Sequence, residues 1–295
     1  MEPNKAISPE IARRKAIKKA KTVSKVAGLQ VFFIVLCFLT LLPILYALGV
    51  SFGESNSLLS SSLSLFPSTW TIDNYVTLFT DYDILTWFGN TILLAVSTVV
   101  LVLTISIPAA YAFSRFRFRF KGAAIRFLII LNAFPSVLSL YSIYTLVREL
   151  RLSNSIYGLL LVYVGTMAIF GLYNLKGYFD TIPYEIEEAA RMDGCSTFQV
   201  ITRILLPLAR PALAVTGVMV LIYVWNEYIF ATTFISNPDF YTLASGLYGL
   251  QAQESTGSWP VFFAASLLVS APILAVFMLA QRHMVSGLSS GGVKE

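Results

Sequence analysis

Six long apolar runs, at about residues 28–50, 87–113, 123–147, 156–178, 211–234 and 260–284, constrain this chain more than any single motif in it. Each is near the roughly 20 residues an α-helix needs to cross a hydrocarbon layer about 30 Å thick. Inside lipid every backbone N–H and C=O has to be paired within the segment or its neighbours, so runs of this length resolve as helices. With 56% hydrophobic and only 13% charged residues, the chain lacks the polar surface a soluble domain would need to cover all six. The runs therefore predict an all-α membrane protein with six transmembrane helices. No internal repeat is visible, which leaves the inverted-repeat plan of many secondary carriers unsupported.

Lys and Arg set the expected orientation, because cytoplasmic loops are enriched in them. The N-terminal arm carries Lys5, Arg13, Arg14, Lys15, Lys18, Lys19, Lys21 and Lys25, and the next loop on that side carries Arg115, Arg117, Arg119, Lys121 and Arg126. Lys176, Arg191, Arg203 and Arg210 surround a third cytoplasmic segment, and Arg282 and Lys294 lie near the C-terminus. Of 21 basic residues only Arg148 and Arg151 fall on the other side, so both termini are expected in the cytoplasm. The net charge of +5 thus reports topology and lipid attraction, not nucleic-acid binding. The expected divisions are a basic arm (1–27), a first span with its outer loop (28–86), a core of five spans (87–284) and a cytoplasmic tail (285–295). The first apolar run is too long for a signal-peptide h-region and is read as an uncleaved span.

The chemistry of the chain is sparse. His283 is the only histidine, and Cys37 and Cys195 are the only cysteines, which excludes histidine-based triads, multi-histidine metal sites and a disulfide framework. No glycine loop ending in Lys and Ser or Thr is present, so the chain does not bind and hydrolyse ATP by that route. The chain of membrane carboxylates wanted by an ion-driven carrier is missing too, since Glu227 is the one acid clearly inside an apolar run. Counting from Pro211 up a continuous helix places Glu227 about 24 Å along the fifth span, near its outer mouth. With Trp225 and Asn226 it forms a polar-aromatic cluster, read either as a pathway or outer-gate group or as an interhelical contact. Asn132 and Asn174 are read as interhelical contacts first. The two outer loops, 51–86 and 235–259, carry aromatic and amide residues that suit sugar or protein contact, or, taken singly, are interfacial aromatics at helix ends.

The segment Thr181–Pro211 supplies what the spans lack. Pro183 suits a first helical turn, with Glu185, Glu187 and Glu188 at the positive end of the dipole. Gly194 can close the helix in the left-handed conformation, and Ser196 with Gln199 forms a capping box for a second helix. Pro207 ends that helix and Pro211 opens the next. The result is a two-helix knob on the cytoplasmic surface, shaped to be held by another protein.

The run Glu188-Ala189-Ala190, then Asp193-Gly194, Leu206-Pro207 and Pro211, resembles the EAA loop of permease subunits in binding-protein-dependent ABC importers. Further segments, WTIDNYVTLF (70–79), YAFSRFRFRFKG (111–122), LKGYFDTIPYEIEEAARMDG (175–194) and VSGLSSGGVKE (285–295), resemble carbohydrate permeases of the MalG type. The resemblance implies a type I ABC importer permease fold in a bacterial or archaeal cytoplasmic (inner) membrane. It also implies a MalF-like second permease, a MalK-like ATPase homodimer that uses ATP and Mg, and an extracytoplasmic sugar-binding protein. This chain would bind no cofactor and catalyse nothing itself. By matching position, Glu188, Ala189, Ala190, Asp193 and Gly194 would couple to the ATPase, and Gly291, Gly292 and Val293 would contact it through the tail. Maltose or maltodextrin is the expected sugar. Because Trp225-Asn226-Glu227 looks more like other sugar permeases, a trehalose or other oligosaccharide system is the alternative. A standalone channel or scaffold without an ATPase is the rival of a different class.

Overall fold

The computed structural model describes residues 9–54, 67–252 and 259–289. Among these no strand occurs, and the one β-bridge joins Gly53 to Trp70. Helix α1 runs unbroken over Pro9–Ser51, so the change expected near residue 27 is one of composition and leaves no break in the backbone. Its apolar part, Ser24–Ser51, has no buried residue in its most hydrophobic window, and it touches the rest of the chain mainly along α13 (Trp259–Ser289). After α1, the short α2 (Asp73–Thr80) is tied back by Asn74, whose Nδ2 donates to the carbonyls of Ser51 and Gly53 at 2.9 Å each.

Helix α3 (Ile84–Arg115) and α6 (Ile156–Phe179) form the central pair. The buried face of α3 repeats at helical spacing through Leu94, Thr98, Val102, Ser106 and Ala110. Close approach depends on Gly171 of α6, where an added Cβ would lie 2.5 Å from Ser106 Oγ. Ser106 Oγ instead donates to the Ala168 carbonyl at 3.1 Å. Small residues that bring backbones together, with a hydroxyl bridging them, are the usual glue between helices in lipid.

Two of the six apolar runs are not the continuous helices expected. The third divides into α4 (Lys121–Ala133) and α5 (Leu140–Glu149), with a bend of 85° between Lys121–Ala133 and Ser136–Glu149. Pro135 is the cause, since it has no N–H to give and pushes Phe134 out of the helical region to ψ 125°. The fifth run is helical only as α10 (Arg210–Asn226) and resumes as α11 (Ile229–Phe234) after a break at Glu227. Before α10 come α8 (Thr197–Gln199), a π-turn (Val200–Leu205) and α9 (Leu206–Leu208), which together meet α10 at 79°. The wider π-turn just precedes Pro207, whose ring could not fit against an ordinary preceding turn. Pro207 therefore sits inside the last turn and the helix ends at Leu208, while Pro211 occupies the first turn of α10 as expected.

Among the described residues four helices are long and apolar enough to span a membrane, and the number is six when each of the two bent pairs is counted as one span. Outside the spans, α12 (Leu243–Ala252) packs between α3, α10 and α13. Helix α13 continues to Ser289, into the region expected as the cytoplasmic tail. Gly291, Gly292 and Val293 lie outside the described residues.

Candidate functional site

The knob is built by local signals. Helix α7 (Tyr184–Met192) begins at Pro183, which occupies the cap position one residue earlier than expected. Its end carries a full Schellman pair. The N–H of Gly194, at φ 84°, donates to Arg191 O at 3.0 Å, and Cys195 N donates to Ala190 O at 3.0 Å. One residue later Gln199 N donates to Ser196 Oγ at 3.3 Å and Ser196 N donates to Gln199 Oε1 at 2.8 Å, the reciprocal capping box.

Helix α7 has two faces of different chemistry. The outer face shows Glu185, Glu188 and Ala189 to the surroundings, with Met192 88% exposed and Phe198 of the adjoining segment 75% exposed. Asp193 and Gly194 are exposed as well, whereas Ala190 is buried in the apolar cluster that also holds Tyr111, Phe179 and Val200. The five expected coupling residues are therefore divided, with four outside and Ala190 in the base.

The inner face holds a residue that the sequence reading counted only among the dipole-facing acids. Glu187 is fully buried and paired through Oε1 with Nε of Arg115, the last residue of α3. Tyr111 Oη donates to Glu187 Oε2 at 3.3 Å and accepts from Arg191 Nη2 at 3.0 Å. Arg115 Nη2 also donates to the Ile182 carbonyl at 3.0 Å. Nearby, burial tends to raise the Asp180 pKa, but hydrogen bonds from Lys176 and Ser114 hold this carboxyl below its ordinary value. The signal for Glu187 was its i, i+3 spacing to Ala190, which puts both on one side of the helix.

At the far end of α10 the three clustered residues separate. Trp225 is buried, its Nε1 donating to Val269 O at 3.2 Å on α13. Asn226 is exposed and opens onto two depressions, one of about 430 Å³ between α10, α12 and α13 and one of about 350 Å³ beside Ser136. Glu227 lies at the helix break itself, with Oε1 accepting from Phe230 N at 2.8 Å and Oε2 from Ala231 N at 3.2 Å. It is not the residue on a continuous helix that the spacing predicted. Asn132 lines a larger cavity of about 720 Å³ at the α4–α5 bend, and Asn174 Nδ2 donates to Thr216 Oγ1 at 2.7 Å, an interhelical bond.

Residues 102–290 match the sequence profile of the binding-protein-dependent transport system inner membrane component. The chain is 32% identical to the galactooligosaccharides transport system permease protein GanQ of Bacillus subtilis, over 89% of this chain and 94% of that one. It is 30% identical to the maltodextrin transport system permease protein MdxG of the same organism, over 93% and 98%. Among solved structures, a chain of a bacterial ABC transporter involved in import of the acidic polysaccharide alginate superposes with a TM-score of 0.74 at 25% identity, covering 90% of this chain and 97% of that one.

Proposed function

The chain belongs to the binding-protein-dependent transport system inner membrane component family, and we propose that it is one of two non-identical membrane subunits of an ATP-driven oligosaccharide importer. The observation that carries this reading is the division of α7. Its inner face is locked to α3, while its outer face offers Glu188 and Ala189 beside the apolar Met192 and Phe198. A short helix with an apolar exposed patch beside the carboxylates of Glu185 and Glu188 fits a cleft in a partner, where burial holds it and a basic residue facing Glu188 sets its register. The partner proposed is a MalK-like ATPase homodimer, with ATP and Mg bound there. Closure of that dimer on ATP would push through α7 and reorient the spans as a rigid unit. The tail residues Gly291, Gly292 and Val293 are proposed to reach the same ATPase.

A MalF-like second permease would complete the pore. The lack of buried residues in the apolar window of α1 supports a partner or lipid around it, since inside this chain it covers little. An extracytoplasmic sugar-binding protein would deliver substrate near Asn226, which Trp225 and Glu227 hold in place at the end of α10. Maltose or maltodextrin is the sugar proposed. MdxG is named for maltodextrin and GanQ for galactooligosaccharides, so the two classes are the pair to compare.

The test is Glu188→Lys in the assembled transporter. The ATPase should no longer co-purify and sugar uptake should be lost. Unchanged docking and uptake would favour a channel or scaffold without an ATPase. Measuring which loaded binding protein stimulates ATP hydrolysis, with maltodextrins and galactooligosaccharides side by side, assigns the sugar.

A further inference from the structure

Helix α3 is the only helix tied by hydrogen bonds to both the knob and the segment at the opposite end of the molecule, among the described residues. At its C-terminal end Arg115 makes three differently directed bonds. Nε goes to Glu187, Nη2 to Ile182 O, and Nη1 to Ser114 Oγ at 3.1 Å. A planar guanidinium held in three directions fixes both the position and the rotation of what it grips. Tyr111, one turn earlier, bonds Glu187 and Arg191, so α7 is held against α3 at its middle and at its C-terminal end.

At the other end of α3, Trp87, Asn90 and Thr91 share one face by their spacing. Asn90 Nδ2 donates to Asp239 O at 2.8 Å and Tyr241 O at 2.9 Å, and Thr91 Oγ1 accepts from Leu243 N at 2.8 Å. The Trp87 ring occupies the space where a Cβ on Gly246 would stand, 2.2 Å from its nearest atom. Between Thr91 and Arg115 the helix is continuous, although Pro108 lies within it, and spans about 36 Å at 1.5 Å per residue.

We propose that the Arg115–Glu187 pair is the joint through which α7 moves α3, and that α3 delivers this movement to residues 239–246 at its far end. The proposal rests on α7 being the ATPase-docking helix. A buried ion pair stabilises a protein little better than apolar side chains of the same volume, so its presence here points to geometry held under load. The segment moved is the start of the 235–259 loop, together with the first turn of α12, and through Ala244 it forms part of the wall of the depression beside Asn226. Arg115 and Glu187 are positioning residues, and neither touches substrate.

The experiment uses the whole complex in proteoliposomes with its binding protein. In Glu187→Gln the ATPase should still co-purify, while stimulation of hydrolysis by the loaded binding protein falls about tenfold. In a Cys37→Ser, Cys195→Ser background, Arg115→Cys with Glu187→Cys should behave alike until joined by a bifunctional thiol reagent, which should restore stimulation. Asn90→Ala, at the other end, should lower stimulation with docking intact, and it carries the test where the Glu187 variants fail to assemble. Full stimulation in Glu187→Gln or Asn90→Ala, or a cross-linked complex that stays unresponsive, would overturn the proposal. Glu188→Lys separates the two readings. If it leaves the ATPase bound, the docking assignment is wrong; if it releases the ATPase while Glu187→Gln keeps full stimulation, only the joint is wrong.

Discussion

Tyr163, two turns into α6, donates a 2.7 Å hydrogen bond to Glu227 at the point where α10 ends, and the same carboxylate caps α11 through Phe230 N and Ala231 N. One side chain thus satisfies a buried hydroxyl and two of the unpaired N–H groups that a helix start exposes. In a segment this apolar those groups have little water to turn to. The break in the fifth run is therefore held by Glu227, and the residue acts on Asn226 by fixing the chain just after it.

Replacing Glu227 with Ala should destabilise the complex by about 2–3 kcal/mol, the combined cost of an orphaned hydroxyl and a lost cap. Gln keeps one acceptor and should recover part of the loss. Tyr163→Phe removes only the donor and should cost about 1 kcal/mol. Thermal unfolding of the purified complex in detergent gives the order, with Ala lowest and Phe nearest the original. Equal behaviour of Glu227→Ala and the original chain would show that the break is held by something else.

Gly171 should tolerate no side chain. Valine there would meet Ser106 and Val102 on α3, and the overpacking should cost about 1–3 kcal/mol by forcing the central pair apart. Because the nearest clash is with Ser106 Oγ, at 2.5 Å, Ser106→Gly should relieve part of the cost. A double-mutant cycle on unfolding temperature checks this, and strictly additive effects would place the strain elsewhere.

What could be read ahead of the structure followed the range of each signal. The six apolar runs and the α7–α8 turn depend on residues within a few positions of each other, and hydropathy, Gly194, Ser196 and Gln199 state them directly. Pro135 lies within the third run, but that the run divides there by 85° depends on the 3-10 turn of Ser136–Ser139 that follows. The break at Glu227 has no Pro or Gly to announce it, and its partner Tyr163 is 64 residues away. Glu187 was hidden for the same reason, since Arg115 is 72 residues distant and three glutamates of similar spacing compete for notice. Trp225, Asn226 and Glu227 are neighbours in sequence, yet helix geometry turns the first two different ways and the extended backbone at Glu227 sends the third elsewhere.

Gly194 lies at φ 84°, where an L side chain is strained although nothing crowds its Cβ position. Gly194→Val should therefore cost about 1–2 kcal/mol purely through the backbone, with Asn, which enters that region more readily, costing less. The loss should stay local. Hydrogen exchange is expected to speed up at the amides of Gly194 and Cys195, which close the end of α7, while the amides of α3 and α6 keep their protection. Uniform acceleration across the spans would mean that the knob and the membrane core unfold as one unit.

The buried pair offers a way to separate stability from coupling. Removing one partner, as in Glu187→Leu, leaves Arg115 charged and buried at 8% side-chain exposure, and should cost about 3–5 kcal/mol. Replacing both, with Arg115→Met and Glu187→Leu, removes the stranded charge and should return stability to within about 1–2 kcal/mol of the original, the remainder coming from the Ile182 carbonyl that loses its donor. If the pair were only a stabilising contact, function would return with stability. As a directional joint it would not, because apolar side chains pack without fixing rotation. The double variant should thus unfold near the original temperature and still respond weakly to the loaded binding protein. Recovery of both properties together would reduce Arg115–Glu187 to an ordinary packing element.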